Sequence, residues 1–214
     1  MFLLIISFIF DFVIIPSQEH EEQNHLFFLH NKFAELHPLD QAHEVYGKVE
    51  YNEIIRKFKS NGFIVHSEIR SKDTDPAIYA KKIKLEIDSL KSMGIKSNHI
   101  TVAGTSKGGY IAQYVSTYVA DPEINYVFIA SVMKGDEIEF PEINFCGNIL
   151  NIYDLSDTSF VSAIKRKESS KLKITRYKDF EINTRLSHGF VFKAMDEWIT
   201  PTCEWGKRNY SFDK

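Results

Sequence analysis

The segment Ile100–Ser116, ITVAGTSKGGYIAQYVS, constrains the fold more than any other part of the chain. It begins with β-branched and apolar residues, passes through three glycines, and continues with apolar residues at helical spacing. This pattern predicts a strand that turns sharply into a helix. The turn Gly104–Gly108 has the form G-x-S-x-G, in which the flanking glycines let a strained serine stand exposed at the joint. We therefore predict that Ser106 is a nucleophile; a phosphate-binding turn or a plain tight turn is the alternative.

The rest of the chain alternates short apolar runs with longer segments of helical periodicity. The predicted strands are His25–Asn31, Phe63–Arg70, Ile100–Ala103, Asn125–Met133, Asn148–Asp154 and Phe180–Thr184, with Lys173–Asp179 competing for the last one. The predicted helices are Val49–Gly62, Pro76–Gly94, one after Ser106, and a closing helix in Phe190–Ile199 that presents Phe192, Met195 and Ile199. Strands separated by helices imply an α/β fold: a mostly parallel central sheet between two layers of helices. Ligands of such sheets bind at the carboxyl ends of the strands, where Ser106 is expected.

Composition limits the number of domains and the class of partner. The chain has 214 residues, of which 43% are hydrophobic, and this suits one sizeable core rather than two. Its formal net charge is -3, and its lysines and acidic residues are interspersed. We therefore expect no nucleic acid partner, because no basic face is evident.

The N-terminal segment 1–18, MFLLIISFIFDFVIIPSQ, is apolar apart from Asp11. It is shorter than the roughly 20 residues that a spanning helix needs, and we interpret it as a signal peptide. Residues 19–214 then form one domain that is exported, periplasmic or secreted, with no stable membrane insertion after processing. Alternatively, segment 1–18 is a first strand or a docking segment of the fold, and the protein is cytoplasmic. Cys146 and Cys203 permit one disulfide without requiring it.

A histidine is needed to make the serine reactive. A serine hydroxyl is a weak nucleophile until a base takes its proton, and a third group must orient that base. After an elbow of this kind the chain order is serine, acid, histidine. His188 is the only histidine that follows Ser106, and it lies in LSHGF, just before the predicted closing helix. We therefore predict that His188 is the base.

Two carboxylates compete for the role of the acid. Asp154 directly ends a predicted strand, and Asp157 lies three residues further on, in a loop that can reach the histidine. We predict that Asp157 completes a Ser-His-Asp triad, and Asp154 is the alternative acid. The one that is not the acid is expected to stabilise a turn or cap a helix.

Four segments together resemble the α/β-hydrolase superfamily, and the chain looks most like its small, lidless bacterial members. They are HITVAGTSKGGYIA around the serine, NILNIYDLSD before the acid, LSHGFVFKAMDEWI around the histidine, and FFLHN, which looks like the His-Asn oxyanion loop of some members. The resemblance covers about residues 25–200. It implies that backbone N–H groups form an oxyanion hole, one from Lys107 and one from Asn31 or Lys32. We expect no cofactor and no metal.

The length of chain between the predicted strands Asn125–Met133 and Asn148–Asp154 bears on the substrate. Lipases of this superfamily carry an inserted lid domain there, and residues 134–147 are too few to fold one. We therefore expect an open, shallow pocket that accepts small or accessible substrates. Lys107 either brings a positive charge to the pocket mouth or points into solvent. Glu68 and Arg70 either form a pocket pair or an ordinary salt bridge.

These observations predict a serine hydrolase that cleaves carboxylic esters through an acyl-enzyme, with a small-molecule ester-type substrate as its partner. Thioesterase or peptidase activity with the same triad is an alternative within this class. A second possibility is a non-catalytic binding protein that keeps the hydrolase scaffold. A membrane-anchored structural protein would rest only on segment 1–18. No oligomeric state is predicted.

Overall fold

The computed structural model describes residues 23–212, so the predicted signal peptide 1–18 and the predicted domain start at residue 19 lie outside the described residues. In chain order the elements are β1 (Asn24–Leu29), α1 (Lys32–Leu36), β2 (Ala42–His43), β3 (Gly47–Lys48), α2 (Tyr51–Ser60), β4 (Phe63–His66), α3 (Pro76–Ser92), β5 (Ile100–Thr105), α4 (Lys107–Val119), β6 (Asn125–Ile129), α5 (Asp136–Glu139), β7 (Gly147–Asp154), α6 (Ile164–Ser169), β8 (Ile174–Ile182) and α7 (Asp196–Gly206). Two 3-10 helices, Ser97–His99 and Ser187–Phe192, precede β5 and α7.

The central sheet positions the site. Within residues 23–212 it has six strands in the order β4-β1-β5-β6-β7-β8, and each neighbouring pair is parallel. Gly104 of β5 lies opposite Leu29 of β1 and Phe128 of β6. Because parallel strands end at the same edge of a sheet, the segments after β1, β5, β7 and β8 all emerge at that edge. The predicted parallel α/β architecture is confirmed.

Helices cover both faces of this sheet. On one face, Phe58 of α2 and Trp198 of α7 pack against Phe28 of β1. On the other face, Ile87 of α3 lies in a second apolar cluster with Phe27 of β1. Successive strand residues point to opposite faces, so adjacent residues of β1 serve two cores. Burial of each such side chain stabilises the fold by about 1.5–3 kcal/mol. Because helices cover both faces of the sheet, the fold has three layers.

The predicted strand Phe63–Arg70 is too long. The observed β4 ends at His66. Further on, the backbone N–H of Arg70 donates to the ring Nε2 of His30 at 3.0 Å and not to a neighbouring strand. The chain leaves the sheet here because its polar groups find partners in the loop after β1.

The predicted strand Asn125–Met133 also ends early, at Ile129. The next residue, Ala130, has a φ of 45°, a left-handed conformation that a regular strand does not contain. The chain therefore turns out of the sheet at Ala130, beside the edge where β5 ends.

The predicted last strand, Phe180–Thr184, lies too far along the chain. Observed β8 begins at Ile174, so the competing segment Lys173–Asp179 supplies most of it, and only the first residues of Phe180–Thr184 belong to it. β8 pairs with β7 at eight positions, from Gly147 to Asp154. The sequence pattern alone does not reveal this register. The alternation of charged and apolar residues fits an edge strand with one covered face.

The closing helix begins later than predicted. Phe192 and Met195 precede α7, which starts at Asp196. The backbone N–H of Glu50 donates to the carbonyl of Phe192 at 2.8 Å, and the Glu50 carboxylate accepts from the N–H of Ala194 at 2.9 Å. These contacts with another part of the chain replace the hydrogen bonds that a helix would have made there.

Two further sequence observations concern cysteines and the membrane. Cys146 and Cys203 are both buried and both free, so the disulfide that the sequence permits is not formed. Burial raises the pKa of the Cys203 thiol to about 12. Of the helices in residues 23–212, none combines the length and the apolar character needed to cross a bilayer.

Candidate active site

Ser106 stands at the sharp joint between β5 and α4. Its backbone has φ 51° and ψ -120°, a conformation that non-glycine residues rarely adopt. Its N–H donates to the carbonyl of Ile129 at 2.9 Å, so the neighbouring strand β6 holds the turn in place. Strain of this kind costs on the order of 1–3 kcal/mol and persists only where the surrounding structure enforces it.

The glycines around Ser106 are required by space. A Cβ added at Gly104 would lie 2.2 Å from the carbonyl oxygen of Gly108. A Cβ added at Gly108 would lie 1.9 Å from the carbonyl oxygen of Leu29, at the end of β1. The backbone of the turn therefore touches both itself and the neighbouring strand, and side chains at these positions would push Ser106 out of place.

His188 approaches Ser106 from the segment after β8. Its Nε2 lies 3.0 Å from the Ser106 Oγ. The ring stacks on Phe160, with centroids 4.9 Å apart, and meets the edge of Tyr46 at 6.5 Å. The preceding residue, Ser187, has a φ of 50°, so a tight backbone turn aims the imidazole at the serine.

Asp157 contacts the far side of the same imidazole. One carboxylate oxygen, Oδ2, lies 2.7 Å from the Nδ1 of His188, and the residue is buried. When Nδ1–H donates to this carboxylate, Nε2 is left to accept the proton of the Ser106 hydroxyl. The structure thus brings the predicted nucleophile, base and acid into one chain of hydrogen bonds; their catalytic roles stay a prediction.

Asp154, the alternative acid, binds other groups. Its carboxylate accepts hydrogen bonds from the N–H and hydroxyl of Ser156, at 2.7 and 2.6 Å, and from the N–H and hydroxyl of Thr184, at 2.8 and 2.5 Å. The Ser156 hydroxyl in turn accepts from the N–H of Ser187 at 2.9 Å. Burial alone would raise the pKa of Asp154, but these hydrogen bonds outweigh it and hold the pKa below its usual value. Asp154 therefore ties the loop after β7, which carries Asp157 (the acid loop), to the segment after β8, which carries His188 (the histidine loop).

The expected oxyanion donors lie at two helix starts. Lys107 is the first residue of α4, so its N–H has no acceptor within the helix. Asn31 is the N-cap of α1, where its side chain accepts from the N–H of Ala34 at 3.1 Å, and Lys32 is the first helical residue. Asn31 and Lys32 line the same cavity as Ser106. Their role as donors stays a prediction.

The Lys107 side chain follows neither placement predicted for it. Its Nζ lies 2.5 Å from Oε1 of Glu35, and its side chain is only 17% exposed. Glu68 and Arg70 do not pair with each other either. Glu68 binds Lys82, and Arg70 binds Glu35 with its Nε 3.1 Å from Oε2. The buried carboxylate of Glu35 thus binds both Lys107 and Arg70, which the sequence pattern did not indicate.

The cavity beside Ser106 and His188 has a volume of about 230 Å³. Apolar and aromatic side chains form most of its remaining wall, with two imidazoles among them: Phe33, Leu36, His37, His43, Tyr46 and Phe192. Sequence reasoning singled out none of these six for the site. Segment 33–46 has no clear periodicity, so only its position after the FFLHN segment could have signalled a role.

The described residues 23–212 hold no group of three or more His, Cys, Asp or Glu side chains arranged to bind a metal ion. The polar groups at the cavity include the hydroxyl of Ser106, the imidazole of His188 and the N–H groups at the start of α1. This set can activate a nucleophile and hold a developing negative charge on oxygen.

Comparison with known proteins identifies the fold. No protein-family model and no curated protein sequence matches the chain. Among solved structures, similar ones include a putative α/β hydrolase from Agrobacterium tumefaciens, with 18% identity and a TM-score of 0.59, which covers 89% of this chain and 87% of that one. An esterase from Pyrococcus furiosus has 16% identity, a TM-score of 0.57, and coverage of 88% and 84%. The chain has the α/β-hydrolase fold.

A third similar structure bears on the missing lid. It is an α/β serine hydrolase without a lid from Xanthomonas campestris, with 14% identity, a TM-score of 0.55, and coverage of 93% of this chain and 88% of that one. In the present chain, the only helix between β6 and β7 is the four-residue α5, within the part that the structure describes. The protein is thus similar to small, lidless α/β hydrolases, as the sequence resemblance predicted.

Proposed function

We propose that the protein is a serine hydrolase that cleaves carboxylic esters through an acyl-enzyme. The observation that carries the proposal is the continuous hydrogen-bonded chain Ser106–His188–Asp157, with distances of 3.0 and 2.7 Å. A plain tight turn does not require a strained serine within hydrogen-bonding distance of an oriented imidazole.

The reaction follows from these positions. The Ser106 Oγ attacks the acyl carbon while the Nε2 of His188 takes its proton, and the C–O bond to the alcohol then breaks as His188 protonates the leaving oxygen. Water attacks the acyl-enzyme by the same proton transfers and releases the acid. Asp157 holds the imidazole in the required tautomer and stabilises its cation, and the N–H groups of Lys107 and of Asn31 or Lys32 stabilise the oxyanion.

The size and wall of the cavity support a small substrate. A volume of about 230 Å³ is below the usual range of drug-sized ligand pockets, and no lid domain extends it in the described part of the chain. Its wall is mostly apolar and includes Phe33 and Tyr46. We therefore propose that the substrates are esters in which a short acyl or aryl group enters the cavity.

The test uses a fluorophosphonate probe and a panel of short aryl esters, thioesters and amides, with Ser106→Ala as the matched control. We expect covalent labelling of the wild type, ester hydrolysis above the other two classes, and loss of both labelling and turnover in Ser106→Ala. Faster thioester or amide turnover would change the substrate class and leave the triad in place. A folded wild type that neither labels nor turns over any member of the panel would favour a non-catalytic binding protein.

A further inference from the structure

A buried cluster of charges joins the two segments that carry the proposed oxyanion donors. The cluster consists of Glu35 from α1, Lys107 from α4 and Arg70 from the segment after β4. The side chains of Glu35 and Arg70 are 0% and 1% exposed. The proposed mechanism gives these side chains no direct contact with substrate, so their position needs another explanation.

Glu35 binds three residues from two other parts of the chain. Its Oε1 accepts from the Nζ of Lys107 at 2.5 Å and from the N–H of Thr74 at 3.2 Å, and its Oε2 accepts from the Nε of Arg70 at 3.1 Å. Burial alone would raise the pKa of Glu35, but the hydrogen bonds from Lys107 and Arg70 hold it below its usual value. Glu35 is therefore a carboxylate at neutral pH, bound directly to the residue that follows the nucleophile.

Arg70 extends the cluster to the loop after β1. Its Nη2 donates to the carbonyl of His30 at 2.5 Å, and its backbone N–H donates to Nε2 of the same histidine at 3.0 Å. The Nδ1 of His30 lies 2.8 Å from the carbonyl oxygen of Asn31, to which it donates. The loop that would supply the second oxyanion N–H is thus held at His30 and at Asn31.

Stability alone does not account for such a cluster. Taking charged groups out of water costs several kcal/mol each, and well-packed apolar residues of similar volume are often equally or more stabilising. An apolar contact, however, has no preferred direction and tolerates small sliding movements, whereas charged hydrogen bonds specify both distance and angle. The two oxyanion donors come from segments far apart in the chain, so their spacing depends on tertiary contacts of this kind.

We propose that Glu35 is a positioning residue that, through Lys107 and Arg70, sets the spacing between the N–H of Lys107 and the N–H of Asn31 or Lys32. This proposal rests on the proposed function, because it assigns a role within the same oxyanion hole. Misplacement of a preorganised donor weakens the binding of the transition state more than the binding of the substrate.

The test compares Glu35→Gln with Glu68→Gln, which removes the same charge from an exposed ion pair with Lys82 outside the cavity. Turnover is expressed per serine titrated with the fluorophosphonate, so that a loss of folded protein does not lower it. We expect Glu35→Gln to lower kcat per titrated serine by about tenfold to a hundredfold, less than the loss of a whole oxyanion donor, with KM changed less than twofold. Glu68→Gln is expected to stay within twofold of the wild type in both.

Two further measurements separate positioning from a general structural role. A trifluoromethyl ketone analogue of the best ester forms an oxyanion in the hole, and its affinity should fall in Glu35→Gln by about the same factor as kcat/KM. Lys107→Arg keeps a cation opposite Glu35 and should retain more activity than Lys107→Met. If Glu35→Gln does not fold, this lysine pair carries the test, because Lys107 is partly exposed.

The possible outcomes are distinct. A wild type that labels and hydrolyses esters, together with an unchanged kcat per titrated serine in Glu35→Gln, or with Lys107→Met equal to Lys107→Arg, would overturn the positioning role and leave the proposed function standing. A wild type without labelling or turnover would overturn the proposed function, and the positioning role with it.

Discussion

The two sides of Ser106 are built from different chemistry. On one side, His188 and Asp157 meet through a single hydrogen bond, and the imidazole side chain is 23% exposed beside the cavity. On the other side, Glu35 and Arg70 are closed off from solvent. A group that exchanges protons with substrate and water has to be reached by both. A group that only holds a backbone in place gains from burial, because its hydrogen bonds are then not exchanged with water.

The supports of the two sides differ in the same way. The acid and histidine loops are joined by hydroxyl and N–H groups of Ser156 and Thr184 around the one charge of Asp154. The loop after β1 is joined to α4 by the alternating charges of Arg70, Glu35 and Lys107. A fixed cluster of charges suits the side on which the proposed mechanism moves no proton.

The largest expected effect tests the side on which we propose that protons are transferred. Asp157→Asn keeps the shape of the side chain but favours the wrong tautomer of His188, so we expect kcat to fall by about 10³–10⁴-fold. Initial-rate measurements on the best ester check this. Because His188 then keeps its stacking on Phe160, the thermal unfolding temperature should change little. A loss of less than about tenfold would show that the carboxylate does not orient the base.

An effect of intermediate size concerns His30, on the buried side of Ser106, and the loss of stability as the pH falls. Burial, followed by the nearby charge of Arg70, lowers the pKa of His30 from 6.5 to about 4, although the hydrogen bond with Asn31 and the Glu35 charge oppose this. Between pH 6.5 and 4 the unfolded chain binds more protons at this residue, so stability is lost as the pH falls. The loss amounts to about 3 kcal/mol once His30 is protonated in both states.

Denaturant unfolding at several pH values measures this loss, and His30→Gln is the matched variant. His25 and His66, whose pKa values burial also lowers, add loss in the same direction and remain in both proteins. The difference in free energy of unfolding between wild type and variant should therefore shrink below pH 6. A constant difference across this range would mean that His30 does not resist protonation.

The smallest effect separates the two aspartates after β7. Asp154→Asn weakens its hydrogen bonds with Ser156 and Thr184, and we expect a loss of about 2 kcal/mol in the free energy of unfolding. kcat per titrated serine should fall by less than about tenfold. Asp179→Asn is the control, because Asp179 of β8 also accepts several hydrogen bonds, but none of these comes from the segment that carries His188. It should lower stability without changing kcat. A larger loss of kcat in Asp154→Asn than in Asp157→Asn would reverse the assignment of the acid.

The sequence predicted elements best where local pattern and tertiary environment agree. Pro76 and the N-cap Asp75 begin α3 where the helical periodicity begins, and the elbow around Ser106 needs its glycines whatever else surrounds it. Prediction was wrong where another segment supplied the hydrogen bonds. Hydrogen bonds with Glu50 keep Phe192 and Ala194 out of the closing helix. The ring of His30 accepts from the N–H of Arg70, which would otherwise have extended β4.

The site divides along the same line. Chain order and residue type were enough to select Ser106, His188 and the pair Asp154 and Asp157 as candidates, because these constraints act along the chain. Which aspartate faces the imidazole depends on the direction of a loop after β7, and the fold alone shows that Asp157 does. No local pattern marked Tyr46 as part of the cavity, because it arrives there through a hairpin with no strong periodicity.

The sequence by itself determined that a strand must turn into a helix at one strained serine, in a chain of alternating strands and helices with one parallel sheet. These properties follow from backbone sterics and from the periodicity of apolar residues, which are local. Only the tertiary structure decided that Glu35, Arg70 and Lys107 share a buried cluster. The partner of a charged side chain is chosen by distance in space and by burial, and neither quantity can be read along the chain.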